Sequence, residues 1–120
     1  MALLTLKLIN DPEQSGYAVV EFHGELDKSD IDSTDRQLQQ LIEQCSKPNM
    51  IFDLSDLVFI NSEGIGFLVS IHMRLRKKNQ QLIITSPRPN VGEVFELVGL
   101  PKIITSTATM SEALAIIPKT

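Results

Sequence analysis

Apolar and polar positions change period several times along this chain, and each change predicts an element. "LTLKLI" (4–9) alternates, as a half-buried strand does. "NDPEQSG" (10–16) is turn chemistry. "YAVVEFHG" (17–24) is a second strand, most simply a hairpin with the first. The period then becomes helical. Ile31, Leu38, Leu41, Ile42 and Cys45 fall on one face, acids crowd the first turn, and Ser29 or Asp30 can cap it. That predicts a helix over about 31–46, stopped by Pro48. "MIFDLS" (50–55) is nearly all apolar, as in a buried central strand, and "DLVFI" (56–60) reads as a connection. From Glu63 to about Lys77 the period is helical again. Ile65, Leu68, Ile71, His72 and Leu75 share one side, Phe67, Val69 and Met73 broaden it, and cations occupy 74, 76, 77 and 78. "QLIITS" (81–86) is a buried strand, and Pro87 and Pro89 mark a loop. The pattern at 91–100 is a short helix closed near Gly99. "KIIT" (102–105) is a last strand, and 110–117 a last helix with Thr109 or Ser111 near its start.

The order is β-β-α-β-α-β-α-β-α, read as a single domain over residues 1–120. A hairpin followed by strict alternation predicts an α/β fold: a mixed, mostly parallel sheet flanked by about four helices. Sites in such sheets lie beyond the carboxyl ends of the strands. The segment "FINSEGIG" (59–66) occupies such a place, an apolar pair running into a polar, glycine-flanked helix start.

Composition narrows the chemistry. With 120 residues, 42% hydrophobic and 22% charged, the chain has enough apolar surface for a core without staples. Its formal net charge is −4 and its one basic run is "RLRKK" (74–78), so nucleic acid is not an expected partner. Cys45 is the lone cysteine and no zinc-type spacing is present, so neither metal nor cofactor is expected. His23 and His72 read as structural or surface residues. "MALLTLKLIN" is short, broken by Lys7 and without a cleavage site, and no stretch reaches spanning length. The expectation is a cytoplasmic protein without membrane insertion.

The corner admits two readings. In the first, Ser62 is only an N-cap whose Oγ accepts from residue 64 or 65, with Glu63 suiting the helix dipole. In the second, Ser62 takes a phosphate. Helix N-termini offer free N–H donors and partial positive charge to an anion. Gly64 and Gly66 leave backbone uncovered, and each costs about 1 kcal/mol relative to alanine inside a helix. Capping does not account for that cost, whereas close approach by another molecule does.

The stretch from "MIFDLSDLVFINSEGIGF" through "ELVGLPKII", with "GELD" at 24–27, resembles STAS domains of the anti-sigma factor antagonist family over nearly the whole chain. The family's corner is Asp-Ser-Ser/Thr-Gly-Leu-Gly, against Asn61-Ser62-Glu63-Gly64-Ile65-Gly66 here. The resemblance implies a small sheet flanked by helices and a phosphorylation cycle. The unphosphorylated protein binds an anti-sigma factor that is an ATP-dependent serine kinase, and so frees the sigma factor. Phosphorylation of the residue matching Ser62 ends binding, and a serine phosphatase resets it. Asp27 matches an acid of the family's binding surface. Asn61 departs from the usual Asp, and Glu63 replaces a small hydroxyl residue.

The leading reading is therefore a non-enzymatic protein-binding switch. Ser62 is the phosphoacceptor, and Asp27, Asn61, Glu63, Gly64, Ile65, Gly66 and Phe67 form the docking surface, with Phe67 open between surface and core. Weak self-association stays open. The alternative is an unphosphorylated STAS scaffold subunit of a stress-signalling or ABC-transporter complex, where Ser62 is only a cap. A receiver domain phosphorylated on Asp53 lacks the acidic pair that would hold Mg²⁺ after the first strand. Enzyme chemistry lacks a His–carboxylate–nucleophile set or a phosphate loop. Asp53 reads as structural, bonded to nearby loop N–H groups.

Overall fold

The computed structural model describes residues 4–9, 16–44 and 47–117. The turn expected over 10–16, except Gly16, and Cys45 lie outside them. Strands β1 (Leu4–Ile9), β2 (Tyr17–Leu26), β3 (Asn49–Ile60), β4 (Gln81–Thr85) and β5 (Thr105–Thr107) form one sheet in the order β1-β2-β3-β4-β5. β1 runs antiparallel to β2, and β2 through β5 are parallel. Helices α1 (Lys28–Gln44), α2 (Ser62–Lys77), α3 (Pro89–Val98) and α4 (Met110–Ile116) make the crossovers and the final cover. The α/β order and mostly parallel sheet are as expected.

Alternation along the central strands splits the core between two faces. Val20, Phe22, Phe52, Leu82 and Ile84 pack with Leu38 and Ile42 of α1, Leu68, Ile71 and Leu75 of α2, and Val91 and Phe95 of α3. The rings of Phe22 and Phe52 lie 4.8 Å apart at its centre. Val19, Ile51 and Ile83 turn to the other face, where, among the described residues, Ala113 and Ile117 from the α4 region complete the buried cluster. Three helices thus cover one face and one short helix the other.

Several boundaries differ from the sequence reading. α1 begins at Lys28, so Ser29 and Asp30 lie inside its first turn. Residues 100–102 form a 3-10 turn and the last strand begins at Thr105, because Gly99 ends α3 in the left-handed conformation (φ 72°) and Pro101 follows. α4 is capped by Thr109, whose hydroxyl accepts from the Glu112 N–H at 3.2 Å.

The largest difference is β3, which runs on through "DLVFI" to Ile60. Its pairing with β4 ends at Asp53↔Thr85, while its pairing with β2 continues to Leu26↔Ile60. Two register shifts, between Glu21 and His23 and between Gly24 and Glu25, each set one extra β3 residue against β2. Leu54, Leu57 and Ile60 are consequently the buried positions of the extension. Their spacing of three follows from the bulges. The edge freed by β4 is covered from the start of α3. Arg88 Nε donates to the Ser55 carbonyl at 2.9 Å and Asn90 Nδ2 to the Val58 carbonyl at 3.0 Å.

Candidate functional site at the start of the second helix

The β2–β3 extension fixes the corner. Because Leu26 is paired with Ile60, the chain leaves the sheet at Asp27 and at Asn61 side by side. Asp27 enters α1 and Asn61 enters α2. Both helix starts therefore stand at one carboxyl end of the sheet, where parallel α/β folds place their sites.

The helix cap is Asn61, not Ser62. Asn61 is extended (φ −117°, ψ −175°), and its side-chain oxygen accepts from the Gly64 N–H at 3.0 Å. Its own carbonyl accepts from the Ile65 N–H at 3.0 Å. Ser62 is already the first helical residue, so its hydroxyl cannot take the capping position. Ser62 is exposed. Among the described residues neither its hydroxyl nor the N–H groups of Ser62 and Glu63 have a hydrogen-bond partner. An anion borne on Ser62 would find two unspent donors and the positive end of the α2 dipole. Glu63, also exposed, adds one fixed negative charge beside it.

The two glycines have different causes. A Cβ on Gly64 would stand 2.7 Å from Ile60 Cγ1, 2.7 Å from the Leu26 carbonyl oxygen and 3.1 Å from Leu26 Cγ. Gly64 is buried, and internal packing of α2 on the ends of β2 and β3 requires it. This corrects the attribution of both glycines to an approaching partner. A Cβ on Gly66 would meet nothing within 4 Å, so the fold does not demand glycine there. The backbone of that exposed turn is bare towards solvent.

Phe67 is 6% exposed and belongs to the core, so it is not part of the exposed surface of the corner; Gly64 is likewise inside. Ile65 is half-buried against the same core. Asp27 and Asn61 are half-buried, and Ser62, Glu63 and Gly66 are exposed. The reachable set is thus Asp27, Asn61, Ser62, Glu63, Ile65 and Gly66. Two residues were missed by sequence reasoning: Val58 and Phe59 are 40% and 44% exposed on the last turn of strand before the corner. The apolar pair Phe59–Ile60 is divided by the bulged register, with Ile60 inward at 4% and Phe59 outward.

Asp53 lies within β3, seven residues before its end, and its Oδ1 accepts the Ser55 N–H at 3.0 Å. It is engaged locally, but by an N–H of its own strand and not by the loop N–H groups expected beside the corner. Among the described residues no group of three His, Cys, Asp or Glu side chains could hold a metal ion, and no helix is long and apolar enough to cross a membrane.

Comparison with known proteins decides the family, since the STAS domain model matches residues 9–113. The chain belongs to the STAS domain family. Over 89 residues it is 25% identical to an anti-sigma F factor antagonist of Paenibacillus polymyxa, covering 74% of this chain and 76% of the relative. The crystal structure of an anti-sigma factor antagonist from Mycobacterium paratuberculosis superposes with a TM-score of 0.82 at 23% identity, covering 96% of this chain and 94% of that one. The antagonist SpoIIAA in its unphosphorylated form superposes with a TM-score of 0.71 at 24% identity, over 92% and 93% of the two chains. The resemblance carried by "FINSEGIG" and "ELVGLPKII" is borne out: this STAS domain has anti-sigma factor antagonists as its relatives.

Proposed function

We propose that this STAS domain is a non-enzymatic anti-sigma factor antagonist whose binding is controlled by phosphorylation of Ser62. In its unphosphorylated state it binds an anti-sigma factor that is also an ATP-dependent serine kinase. The kinase transfers a phosphoryl group to Ser62 Oγ, the complex separates, and a serine phosphatase restores the hydroxyl. The observation that carries this reading is the division of labour at the corner. Asn61 supplies the cap, which leaves an exposed Ser62 hydroxyl with no structural duty. That SpoIIAA has both an unphosphorylated and a phosphorylated structure supports the reading by analogy.

The physics of release is local. A phosphoserine adds about −1.5 to −2 charges at neutral pH. It would stand one residue from Glu63 and next to the exit of Asp27 from the sheet. The helix N-terminus can satisfy the phosphate internally, so the fold tolerates it. A partner that had packed an acidic or apolar surface on Val58, Phe59, Ser62 and Gly66 would lose that contact by repulsion and desolvation. The test is binding of the kinase partner by Ser62→Asp. A weakening of about tenfold or more, ~1.4 kcal/mol, is expected. Binding equal to that of the parent would defeat charge control at the corner.

Glu63 favours a second reading. A permanent carboxylate beside Ser62 supplies part of a phosphate's charge at all times. A partner adapted to it would stay docked, and the chain would be a scaffold subunit of a signalling or transporter assembly. A stable complex with no phosphate turnover on Ser62 distinguishes this reading from the switch.

A further inference from the structure

At the far end of α2 from Ser62, where β3 and β4 begin, the structure has an open cavity of about 590 Å³. Pro48 and Ile103 give it an accessible apolar side, with Leu82 buried behind them; its polar rim includes His72, Arg76 and Asn79. The volume falls within the range of roughly 300–1,000 Å³ typical of small-molecule sites. Fourteen residues of helix, about 21 Å at 1.5 Å per residue, separate Ser62 from Arg76, so this site is distinct from the corner.

The cations of this region are not equivalent. Arg74 is held by Asp35, and Lys78 Nζ donates to the Ile42 carbonyl at 2.6 Å. The Arg76 guanidinium has neither an ion pair nor a side-chain hydrogen bond among the described residues, although it lines the cavity. Among the described residues no carboxylate lines the cavity with it. One helical turn earlier, His72 also lines the cavity, and its Nδ1 is buried without a hydrogen-bond partner among the described residues. Burial, and then the nearby Arg76 charge, hold its pKa below the usual value. The imidazole is therefore a neutral neighbour of Arg76, not a second cation. Ile103, half exposed, and Pro48 offer an apolar seat beside that single charge.

We infer that the cavity between Arg76, His72 and Ile103 binds a small organic monocarboxylate, its charge on the Arg76 guanidinium and its apolar body on Pro48 and Ile103. A guanidinium fork matches a carboxylate in a bidentate pair. One full cation balances one negative charge. The C-terminal end of α2 lies here, and its partial negative charge weighs against a dianion such as a phosphate monoester.

The test is a titration of the full ¹⁵N-labelled chain at neutral pH, to millimolar concentration, with butanoate, 4-methylpentanoate and phenylacetate, each beside its primary amide. Saturable shifts are expected at the backbone amides of Asn79 and Ile103 and at Arg76 Nε. At least one acid should bind about tenfold more tightly than its amide, the scale of one charge-assisted hydrogen-bonded pair. Arg76→Gln, at an exposed position, should keep the parent's spectrum elsewhere and abolish that preference. Absence of a saturable response to all three acids would overturn the inference. So would equal binding of acids and amides, or an Arg76→Gln variant that binds as the parent does.

Discussion

Replacing Gly64 and Gly66 separately by alanine separates packing from access at the corner. At Gly64 the new Cβ would sit 2.7 Å from the Leu26 carbonyl oxygen and from Ile60 Cγ1. Real Cβ contacts essentially never come so close, and one of the two atoms is backbone of a paired strand. Ile60 can turn, but the Leu26 carbonyl cannot move without loosening β2 from β3. Overpacking of this kind costs about 1–3 kcal/mol. Taking about 2 kcal/mol, and offsetting it by about 1 kcal/mol of helix propensity gained over glycine, leaves Gly64→Ala destabilised by about 1 kcal/mol. Gly66→Ala meets no atom within 4 Å and keeps the propensity term, so it should be stabilised by about 0.5–1 kcal/mol. With a urea m-value of about 2 kcal/mol/M, the midpoints should move about 0.5 M down for Gly64→Ala and about 0.3–0.5 M up for Gly66→Ala. Equilibrium urea unfolding followed by far-UV circular dichroism reads both. Partner affinity should respond in the other sense. Gly66→Ala adds a methyl on the open face and should weaken docking although the fold is firmer. A Gly64→Ala protein as stable as the parent would refute the packing argument, and a destabilised Gly66→Ala would refute the claim that the open face is free of internal constraint.

Other expectations follow from the same geometry. Asn61→Ala removes the cap on Gly64 and should cost about 1 kcal/mol in urea unfolding, whereas Ser62→Ala removes a hydroxyl without a bond and should stay within about 0.5 kcal/mol of the parent. The reverse order would return the capping role to Ser62. His72 has its pKa lowered in the folded protein by burial and by Arg76, so the unfolded chain binds the proton more readily. Its linkage to stability is fully favourable above the unfolded value near 6.5 and is lost as pH falls through and below it. The parent should therefore lose more stability than His72→Gln on acidification from neutral pH, and a His72 titration midpoint above the usual value by NMR would contradict this. Arg74→Ala breaks an ion pair with Asp35 that is partly open to water, so a loss below about 1 kcal/mol is expected, and less at high salt.

Element types were readable because the strands and helices of this chain keep clean periods where they lie inside the sheet. Val19/Val20, Ile51/Phe52 and Ile83/Ile84 report both faces of central strands, and Leu68, Ile71 and Leu75 report the inner stripe of α2. The period of three at Leu54, Leu57 and Ile60 defeated the strand reading, because two bulges against β2 break the alternation on which such a reading depends. The same bulges turned Phe59 outward, which no local pattern announces. The corner's place at a carboxyl strand end followed from the order of elements. Its internal roles did not. Asn and Ser are comparable caps, and only the backbone of Asn61 settles which residue is the last one outside the helix. The burial of Gly64 depends on contacts with Leu26, thirty-eight positions away, so a glycine required by packing was indistinguishable in sequence from one left open for a partner. Phe67 was ambiguous because α2 carries more apolar positions than one inner stripe needs; in the fold the wide stripe is filled by β3 and by α1.

The cavity at the other end of α2 left no trace in the sequence reading. Its lining comes from β3, β4, the end of α2 and the segment around Ile103, brought together by parallel pairing of strand starts. His72 was assigned to the inner side of α2 and is only half-buried there, with its ring at the cavity wall.

The central claim, that Ser62 is a switch and not a cap, is tested most directly by intact mass and peptide mapping. The chain and its Ser62→Ala variant would each be incubated with a candidate anti-sigma factor serine kinase and ATP, and complex formation followed in parallel. One phosphate is expected on the parent, mapped to Ser62, with loss of the complex as it accumulates, and an unmodified variant that stays bound. A stable parent complex with no phosphate on Ser62, or release of the Ser62→Ala variant by ATP, would contradict it.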